Sequence, residues 1–507
     1  MRRLLLYVTI GLIAALSLAF VACGDDDDDN GNGTPTETPD ATETEPPDNG
    51  EPPDGDPTQP GAAGIPSDPR TVLGEYVIDD GAAMFSERDA GEDRTGVTDD
   101  SVKVCYPVAQ TGDSAFYAGP TAVIRAMVDE VNAAGGIHGR QIDLVVKDDG
   151  GTPATASTVI QEMVESDQCF MIFGHSSGPG VFAAVRPYIE EQGVPNFMLG
   201  ESGSEIAEPP AERIWTGVNP ATGAFLAFGN LIYQLNEDAE YSVIYVGDAY
   251  GQSAVAGLRA ANEAAGKDFV RELEVQAGQT DYTGEIGQVL EGDPTGVVTM
   301  GYIADLPKMV SAIRETYDSD VNIYDPGGNV ILSAEAIPNL LDGIISFNFS
   351  TLRETQTDNA TVVAVNEILT DAGLFPQQFA LALGSVWVEH LTRALSCAGP
   401  DLTREGFTQA VDGGCFDGSW ECSTCLAPSI MNVYDHWPIE AIQGQEYDDE
   451  VGNWVPIGDI VSFETSAGVG MRGNIEGFEC GAAAECPWNE GCTVDSEDRC
   501  LFRAAFE

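Results

Sequence analysis

The stretch EVNAAGGIHGRQIDLVVKDD, from Glu130 to Asp149, is the most informative part of this sequence. Its first residues end a segment in which apolar side chains recur at helical spacing, and the glycines that follow are typical of a helix terminus. The β-prone run QIDLVVKDD comes next and ends in two aspartates. A helix that stops at glycines and leads at once into a strand is the repeating unit of an α/β protein.

The same alternation continues on both sides of this stretch. A strand, SVKVCYPVA (Ser101–Ala109), precedes it, and a helix that begins near Pro120 carries its apolar residues on one face. The segments that follow predict helix, strand, helix and strand in turn: ATASTVIQEMVESD, CFMIFG, GPGVFAAVRPYIEEQ and VPNFMLG. Four β–α alternations predict a parallel sheet with helices on both faces.

A second series follows an apolar linking helix between Phe225 and Leu235. Its segments predict another βαβαβα unit: YSVIYVGD, SAVAGLRAANEAAG, DFVRELEVQ, YTGEIGQVL, GVVTMGYIA and LPKMVSAIRETY. We therefore predict an α/β protein of two doubly wound, Rossmann-like lobes with a hinge and a ligand cleft between them. Ligands of such sheets lie beyond the carboxyl ends of the strands.

Composition excludes several classes of partner. The chain has 507 residues, which suits two or three domains, and 43% of them are hydrophobic. With 83 acidic and 22 basic side chains the formal net charge is −61. This charge argues against nucleic-acid binding, which needs Lys and Arg to displace counterions, and against docking of a basic face on anionic lipid. It suits a salty or acidic medium, with simple solubility as the alternative.

The N-terminus has the pattern of an export signal. Arg2 and Arg3 precede an apolar run over residues 4–20, and small residues lead to Cys23. The last four positions, FVAC, resemble a bacterial lipobox, although Phe20 replaces the usual Leu. We expect lipidation of Cys23 and a membrane anchor of acyl chains, with a plain signal peptide or an uncleaved anchor as alternatives.

The following segment predicts a disordered acidic tether. Residues 24–66 are Asp, Glu, Pro, Thr, Gly and Asn with almost nothing apolar, so they cannot form a core. Charge repulsion and proline stiffness extend such a segment. We interpret the acidic run Asp25–Asp29 as part of this spacer, with metal binding as the alternative.

The chain has eleven cysteines, a number that is typical of proteins in an oxidising compartment. Without Cys23 ten are left, an even number that favours disulfides. Cys105 and Cys169 lie on two strand-like runs and can pair if those strands are neighbours. The sequence CSTC, residues 422–425, is alternatively a redox motif or half of a zinc site. Redox motifs of this kind lie between a strand and a helix, and these surroundings are missing here. The other two groups of disulfide candidates are Cys397, Cys415, Cys422 and Cys425, and, in a Gly-rich tail, Cys480, Cys486, Cys492 and Cys500.

Residues 98–465 resemble the type I periplasmic solute-binding proteins, in particular the leucine/isoleucine/valine-binding branch that serves ABC importers. The stretch Glu130–Asp149 is similar to that family's N-x-x-G-G-I-x-G pattern followed by a strand and two aspartates. Five weaker pieces follow the family's order: PVAQTGD (107–113), FGHSSG (173–178), GVPNF (193–197), DAYGQS (248–253) and VGNWVPIG (451–458). The resemblance implies a small-molecule ligand and an ABC transporter permease as partners.

Serines at a predicted helix N-terminus are the first candidate ligand contacts. Ser176 and Ser177 precede a helix that begins near Pro179, where hydroxyls either cap the helix or hold an anion. The resemblance implies that this loop and the next one grip the α-carboxylate of an amino acid. The matching positions are Ser177, Gly200 and Ser202, with Gly200 contributing only backbone.

The resemblance also implies an aromatic pocket. Phe116 or Tyr117 matches a position where the family often has Tyr over the ligand, and Tyr250 and Tyr302 match two second-lobe aromatics. Each is alternatively an ordinary core residue. Trp387 and Phe379 fall on an apolar helix face, so we interpret them as core.

One position departs from the family. Amino-acid binders usually carry a second-lobe carboxylate for the ligand ammonium, but Gly327 and Gly328 match best there. Asp325 is two residues away, and Glu201 is another acid near the pocket. Because an unpaired buried cation is costly, either Asp325 or Glu201 supplies the charge, or the ligand has no ammonium.

No catalytic motif supports an enzyme. His175 beside Ser176 invites a hydrolase interpretation, yet no G-x-S-x-G elbow precedes it, and neighbours in an extended turn point apart. Phosphate-loop, H-E-x-x-H and nicotinamide motifs are absent from the sequence. We interpret His138 as an exposed turn residue and His436 as structural, and predict no catalysis, cofactor or metal.

Together these features predict an extracytoplasmic, lipid-anchored solute-binding protein of an ABC importer. Its ligand is a small polar or anionic solute: a branched-chain or other amino acid, an amide or a carboxylic acid. The alternative is a ligand-sensing module that signals through a partner membrane protein. The predicted organisation is signal peptide (1–23), tether (24–97), first part of the N-lobe (98–220), C-lobe (221–349), return segment completing both lobes (350–469) and Cys-rich tail (470–507), which is either a protein-binding module or a buttress.

Overall fold

A computed structural model of the chain describes residues 91–462, 492–494 and 500–502. Within the first range it leaves out 113, 176, 178–179, 204–210, 303, 326–336, 338, 351–359, 372–377, 419, 421, 423 and 433–434. The predicted signal peptide, the lipidation site Cys23, most of the predicted tether and part of the tail therefore lie outside the described residues.

The first lobe is built on a five-stranded parallel sheet in the order β2-β1-β3-β4-β5. Its strands are β1 (Ser101–Val108), β2 (Gln141–Asp148), β3 (Met171–Phe173), β4 (Asn196–Leu199) and β5 (Ile214–Thr216). The helices between them are α1 (Thr121–Ala133), α2 (Pro153–Gln161) and α3 (Val181–Gln192). The apolar face predicted for α1 is buried, which explains why this sequence forms an amphipathic helix.

The glycine pair after α1 has a steric reason. Gly136 has φ of +73°, and a Cβ at this position would lie 2.0 Å from the Arg140 carbonyl oxygen. Only glycine therefore fits the turn that brings the chain from α1 into β2.

The second lobe contains a seven-stranded sheet in the order β14-β13-β10-β9-β8-β6-β7. Five strands are parallel: β6 (Tyr241–Val246), β7 (Glu272–Val275), β8 (Gly296–Met300), β9 (Asn322–Tyr324) and β10 (Ile345–Asn348). The antiparallel pair β13 (Ala441–Asp448) and β14 (Asn453–Ser462) completes the edge. The associated helices are α4 (Ala221–Leu235), α5 (Ala249–Ala265), α6 (Thr283–Val289) and α7 (Leu306–Ser311).

The chain crosses between the lobes after β5, after β10 and before β13. Between the last two crossings the chain forms first-lobe elements that were not predicted individually from the sequence. They are α8 (Ala360–Asp371), α9 (Gln378–Ala398), α10 (Arg404–Ala410), β11 (Phe416–Asp417) and β12 (Ile430–Met431). Trp387 of α9 is buried against Tyr106 and Phe173. The side chain of Phe379 lies outside the described residues.

The structure confirms the predicted α/β architecture with two parallel-sheet lobes. The strand order of the parallel part, β7-β6-β8-β9-β10, repeats that of the first lobe, β2-β1-β3-β4-β5. In the tail, the described residues form a hairpin of β15 (Cys492–Val494) and β16 (Cys500–Phe502). Among the described helices, none is both long and apolar enough to span a bilayer.

Candidate functional site

The predicted ligand residues lie at the carboxyl ends of parallel strands. In each lobe the strand order reverses beside the first strand, between β1 and β3 and between β6 and β8. Chains leave these neighbouring strands in opposite directions, which opens a crevice at that edge of each sheet. The segments after these strands carry most of the candidate residues, so the topology concentrates them at the two switch points.

A buried polar cluster occupies the first-lobe switch point. Asp149 directly follows β2, and His175 and Ser177 follow β3. The Nε2 atom of His175 lies 3.2 Å from Asp149 Oδ2, and the Ser177 hydroxyl donates a short hydrogen bond to the same oxygen. All three side chains are buried. Because Ser and His both contact Asp149 and not each other, this is not a nucleophile–base pair.

The environment of Asp149 keeps its carboxyl group ionised. Burial alone would raise the pKa of Asp149, but hydrogen bonds from His175, Ser177 and the Gly151 amide lower it. An ionised carboxylate only accepts, so His175 Nε2 carries a proton. The single hydroxyl proton of Ser177 is likewise given to Asp149. Ser177 therefore has to release Asp149 before its hydroxyl can donate to a ligand carboxylate.

The loop after β4 carries three further candidates. The amide of Gly200 donates to the His175 carbonyl at 2.9 Å, which fixes this loop against the one after β3. The Ser202 carbonyl accepts the amide of Ala221 at the start of α4. Glu201 lies between them and is partly exposed. Over the described residues 200–203 of this loop, Glu201 is the charged side chain.

A capped helix positions the second-lobe aromatics. Asp248 is the N-cap of α5 and accepts the Gly251 amide through Oδ1 at 3.0 Å, which satisfies an amide of the first helical turn. Its other oxygen, Oδ2, accepts a hydrogen bond of 2.5 Å from the Tyr302 hydroxyl. The rings of Tyr250 and Tyr302 lie 6.4 Å apart. One carboxylate thus caps the helix and orients a candidate ligand residue.

Groups of both lobes act on one another electrostatically. Burial raises the pKa of Tyr117. The nearby Glu201, Tyr250 and Asp248 raise this pKa further. Burial also raises the pKa of Tyr302, with further contributions from Asp248, Tyr117 and Glu201. Tyr117 and Glu201 follow first-lobe strands, whereas the others follow second-lobe strands. The two switch points therefore face one another.

Asp325 completes the acidic side of the site. It directly follows β9 and is fully buried, and its Oδ2 accepts the Thr299 hydroxyl at 3.0 Å. Burial raises the pKa of Tyr250, and the nearby charge of Asp325 raises it further. Of the two candidate carboxylates, Asp325 is therefore the one whose charge acts on this aromatic, while the glycines at 327 and 328 lie outside the described residues.

The structure brings Tyr117, Glu201, Tyr250, Tyr302 and Asp325 to the facing switch points, with Ser177, Gly200 and Ser202 on the first-lobe loops. Ser176 and the side chain of Phe116 lie outside the described residues. Sequence reasoning assigned no role to Asp149 and Asp248, although both lie in quoted motifs. Their position at a predicted strand end was the available signal.

Another buried cluster supports the crossings between the lobes. Trp215 Nε1 donates to Asp412 Oδ1 at 2.9 Å, and His436 Nδ1 lies 2.7 Å from the Ile214 carbonyl oxygen. The amide of Thr216 donates in turn to the His436 carbonyl at 3.0 Å. Burial raises the pKa of Asp412 to about 7 and lowers that of His436 to about 4. His436 thus joins β5 to the segment before β13.

The described cysteines form three disulfides. Cys105 of β1 pairs with Cys169, just before the neighbouring β3. Cys397 pairs with Cys415, and Cys422 with Cys425. Cys492 and Cys500 lie in the tail hairpin, where their side chains are not described, and Cys480 and Cys486 lie outside the described residues.

A model of the family described as periplasmic binding protein matches residues 101–449, more than two thirds of the chain. The chain belongs to the periplasmic binding protein family. The resemblance inferred from the sequence motifs is thereby confirmed. Members of this family are binding proteins rather than enzymes, and membership implies an extracytoplasmic location.

Curated relatives of this periplasmic binding protein are distant. An amino acid binding protein of Pseudomonas aeruginosa is 24% identical over 187 residues, which are 37% of this chain and 50% of that protein. Leu/Ile/Val-binding protein homolog 1 of Brucella suis is 24% identical over 311 residues, 60% of this chain and 80% of that protein. The chain thus spans half the length of the first relative and most of the second.

Solved structures share the fold of this periplasmic binding protein. A fatty acid ABC transporter substrate-binding protein from Thermomonospora curvata has a TM-score of 0.62 at 19% identity, covering 73% of this chain and 95% of its own. A branched chain amino acid ABC transporter protein from Thermus thermophilus with bound valine has a TM-score of 0.61 at 17% identity, covering 73% and 99%. At these identities the likeness establishes the fold alone.

Proposed function

We propose that this protein is a lipid-anchored solute-binding protein of an ABC importer, which captures a small solute by closure of the two lobes. The observation that carries the proposal is the meeting of tyrosines and carboxylates from both lobes at facing switch points. A solute in this crevice contacts both lobes at once, and such contacts favour the closed arrangement. Cys23 is the proposed site of the acyl chains.

The charges of the site favour an amino acid as the ligand. Among the described residues, Asp149, Glu201, Asp248 and Asp325 are four carboxylates at the strand ends around the switch points. A carboxylic acid without an ammonium group would bring a like charge toward all four, which is unfavourable in a partly buried site. An amino acid brings an ammonium group that Asp325 or Glu201 can accept. The names of relatives include both amino-acid and fatty-acid binding proteins, so the charge argument chooses between two chemistries that occur on this fold.

The tyrosines provide the rest of the proposed pocket. Tyr117 contributes from the first lobe, and Tyr250 and Tyr302 contribute from the second. Their rings offer apolar area for a side chain, while the hydroxyl groups remain protonated because their pKa values are raised. The Tyr250 hydroxyl can donate to the ligand carboxylate, which compensates for the engagement of Ser177 with Asp149, whereas the Tyr302 hydroxyl proton is given to Asp248 and its oxygen can only accept.

Ligand-dependent stabilisation and closure test the proposed function. The full chain is screened by thermal shift, in high and low salt, against leucine, isoleucine, valine, other amino acids, short amides, urea and small carboxylic acids. A ligand at 100 times its Kd is expected to add about 2.7 kcal/mol to the free energy of unfolding. Small-angle scattering of the same sample is expected to show a smaller radius of gyration. Stabilisation by no member of the panel would contradict the proposed ligand classes, and stabilisation without compaction would contradict closure.

Tyr302→Phe is expected to weaken binding of the best panel ligand by about 3- to 10-fold. The variant keeps the ring but removes the hydroxyl that Asp248 orients, so the ligand ammonium loses an acceptor, at a cost of about 0.5–1.5 kcal/mol for an ordinary hydrogen bond. Isothermal titration calorimetry measures the change. Tyr317→Phe is the matched control, because the Tyr317 hydroxyl donates to the Thr283 carbonyl on an exposed surface. An equal loss of affinity in both variants would refute the placement of Tyr302 in the pocket.

A further inference from the structure

A second cluster of reactive side chains lies in the first lobe, on elements that the proposed ligand site does not use. It consists of His390 on α9, Cys422 and Cys425 after β11, and Ser429 before β12. We refer to it as the cysteine–histidine cluster. The His390 side chain is fully buried, and both cysteines are buried. Its function is not explained by the capture of a solute.

The imidazole of His390 is held in one tautomer. Nδ1 lies 2.7 Å from the Val386 carbonyl oxygen, one helical turn earlier. Because a carbonyl oxygen only accepts, Nδ1 carries the proton and Nε2 keeps its lone pair. Nε2 accepts the Ser429 hydroxyl at 2.8 Å. A histidine that donates one ring N–H to a backbone carbonyl is the usual arrangement of a metal ligand.

The two sulfur atoms lie beside that lone pair. The ligand atoms of His390, Cys422 and Cys425 all lie within 4.8 Å of one another, and within the described part of the chain they form the one such group of metal-binding side chains. A tight turn closed by the Cys425 amide and the Cys422 carbonyl brings the cysteines together. Two cysteines separated by two residues have the spacing found in zinc sites.

Aromatic side chains close the cluster. The ring of Phe416 stacks on His390 with a centroid distance of 5.4 Å, and Trp420 packs edge-on at 5.0 Å. These contacts fix the plane of the imidazole. A fixed ligand plane and a dry surrounding favour metal binding, since little reorganisation is needed.

We propose that Cys422 and Cys425 have a second, reduced state in which both sulfurs and His390 Nε2 bind one Zn²⁺ ion. The fourth position is open to the Ser429 hydroxyl or to a water molecule. Two thiolates and one imidazole are a donor set that Zn²⁺ prefers, with Zn–S distances of about 2.3 Å and Zn–N distances of about 2.0 Å. Tetrahedral geometry then requires the sulfurs to separate to about 3.7 Å, a small movement within one turn.

The disulfide and the metal are alternatives at the same two sulfurs. A dithiol reductant supplies two electrons and two protons: its own S–S bond forms as the Cys422–Cys425 bond breaks. Zn²⁺ then displaces the two thiol protons, which pass to solvent, and the thiolates become ligands. Once the metal leaves and the sulfurs regain protons from solvent, thiol–disulfide exchange with an oxidised dithiol restores the Cys422–Cys425 bond, and the two electrons and two protons reduce that partner disulfide. The site therefore binds metal only while Cys422 and Cys425 are reduced.

Co²⁺ is the spectroscopic probe for this site. The full chain is reduced with a phosphine under non-denaturing conditions and titrated with Co²⁺. We expect one equivalent to produce a thiolate-to-cobalt charge-transfer band, which Zn²⁺ abolishes. Cys422→Ser with Cys425→Ser is expected to lose the band, whereas Cys397→Ser with Cys415→Ser, the matched control, is expected to keep it. Absence of the band in the reduced chain, or its persistence without Cys422 and Cys425, would overturn the proposal.

Alkylation of the reduced, unsubstituted chain gives a second measurement that needs no variant. Zn²⁺ is expected to slow alkylation of Cys422 and Cys425 at least 10-fold, read by peptide mass spectrometry, while Cys397 and Cys415 stay reactive. Protection of the tail cysteines alone would place the metal elsewhere. Ser429→Ala is expected to retain protection, because water can take the fourth position. Reduced chain that loses its circular dichroism and does not regain it with Zn²⁺ would also count against the site.

Discussion

Asp325→Asn is expected to lower the affinity for an amino-acid ligand by at least 100-fold. The side chain is fully buried at the end of β9, and its charge lies close enough to Tyr250 to raise the pKa of that tyrosine. Removing its charge leaves a bound ammonium group without its partner. Truncating one member of a buried, hydrogen-bonded charge pair costs about 2–5 kcal/mol in measured interfaces, which corresponds to this loss. Isothermal titration calorimetry with the best amino acid of the panel measures it.

The ligand itself supplies the control for this variant. If leucine is the best ligand, 4-methylpentanoate has the same carbon chain and carboxylate but no ammonium group. Asp325→Asn is expected to change binding of 4-methylpentanoate little, or to strengthen it, since a like charge is removed. Glu201→Gln tests the alternative partner in the same way. A large loss with Glu201→Gln and none with Asp325→Asn would assign the ammonium contact to the first lobe.

The pH dependence of stability is expected to change most with Asp412→Asn. Burial raises the pKa of Asp412 to about 7 in the folded chain, well above the ordinary value of 3.8. Below pH 4 the group is protonated in both states, and its contribution to stability is fully present. Between pH 4 and 7 only the unfolded chain ionises, so stability falls by up to about 1.4 kcal/mol per pH unit. The total loss is at most about 4 kcal/mol, a ceiling because the Asp412 side chain is 15% exposed.

An amide at this position removes the ionisation. The asparagine oxygen still accepts the Trp215 indole N–H, so the folded contact is kept. Wild type and variant are expected to have similar free energies of unfolding at pH 4, and the variant is expected to become increasingly more stable up to pH 7. Urea unfolding between pH 4 and 8 measures both. Asp401→Asn, at a carboxylate that is 91% exposed, is the control and is expected to leave the profile unchanged. Parallel profiles for wild type and Asp412→Asn would disprove the assignment.

Local pattern was sufficient for much of the fold. The helix α1 and the strand β2 were predictable because their apolar spacing and the intervening glycines are local properties. The pairing of Cys105 with Cys169 was foreseeable only as a condition, since it depends on β1 and β3 being neighbours. The helices and strands of the return segment (350–469) were not predicted from the sequence, because elements such as α9 and β11 are stabilised by contacts with residues far away in the sequence.

The position of a candidate site residue was predictable when the residue belongs to a sequence motif that directly follows a strand. Tyr250 and Tyr302 are such residues. The Asp149–His175 contact was not predictable, because it joins two loops through the packing of β2, β1 and β3. The histidine nearest to the CSTC turn in the sequence is His436, and only folding brings His390 beside Cys422. Tertiary proximity of this kind leaves no periodic signal.

The Cys105–Cys169 bridge also determines how the protein responds to mechanical force. The two cysteines are separated by 64 positions in the sequence, so a chain pulled by its two ends cannot draw out the loop that holds α1, β2 and α2. At about 3.6 Å per residue the bridge withholds about 230 Å of contour length. A protein passing through a membrane channel as an extended thread must therefore form this bridge after passage. Once formed, the bridge keeps the two ends of the segment from β1 to β3 joined, even when force separates the strands of the first-lobe sheet.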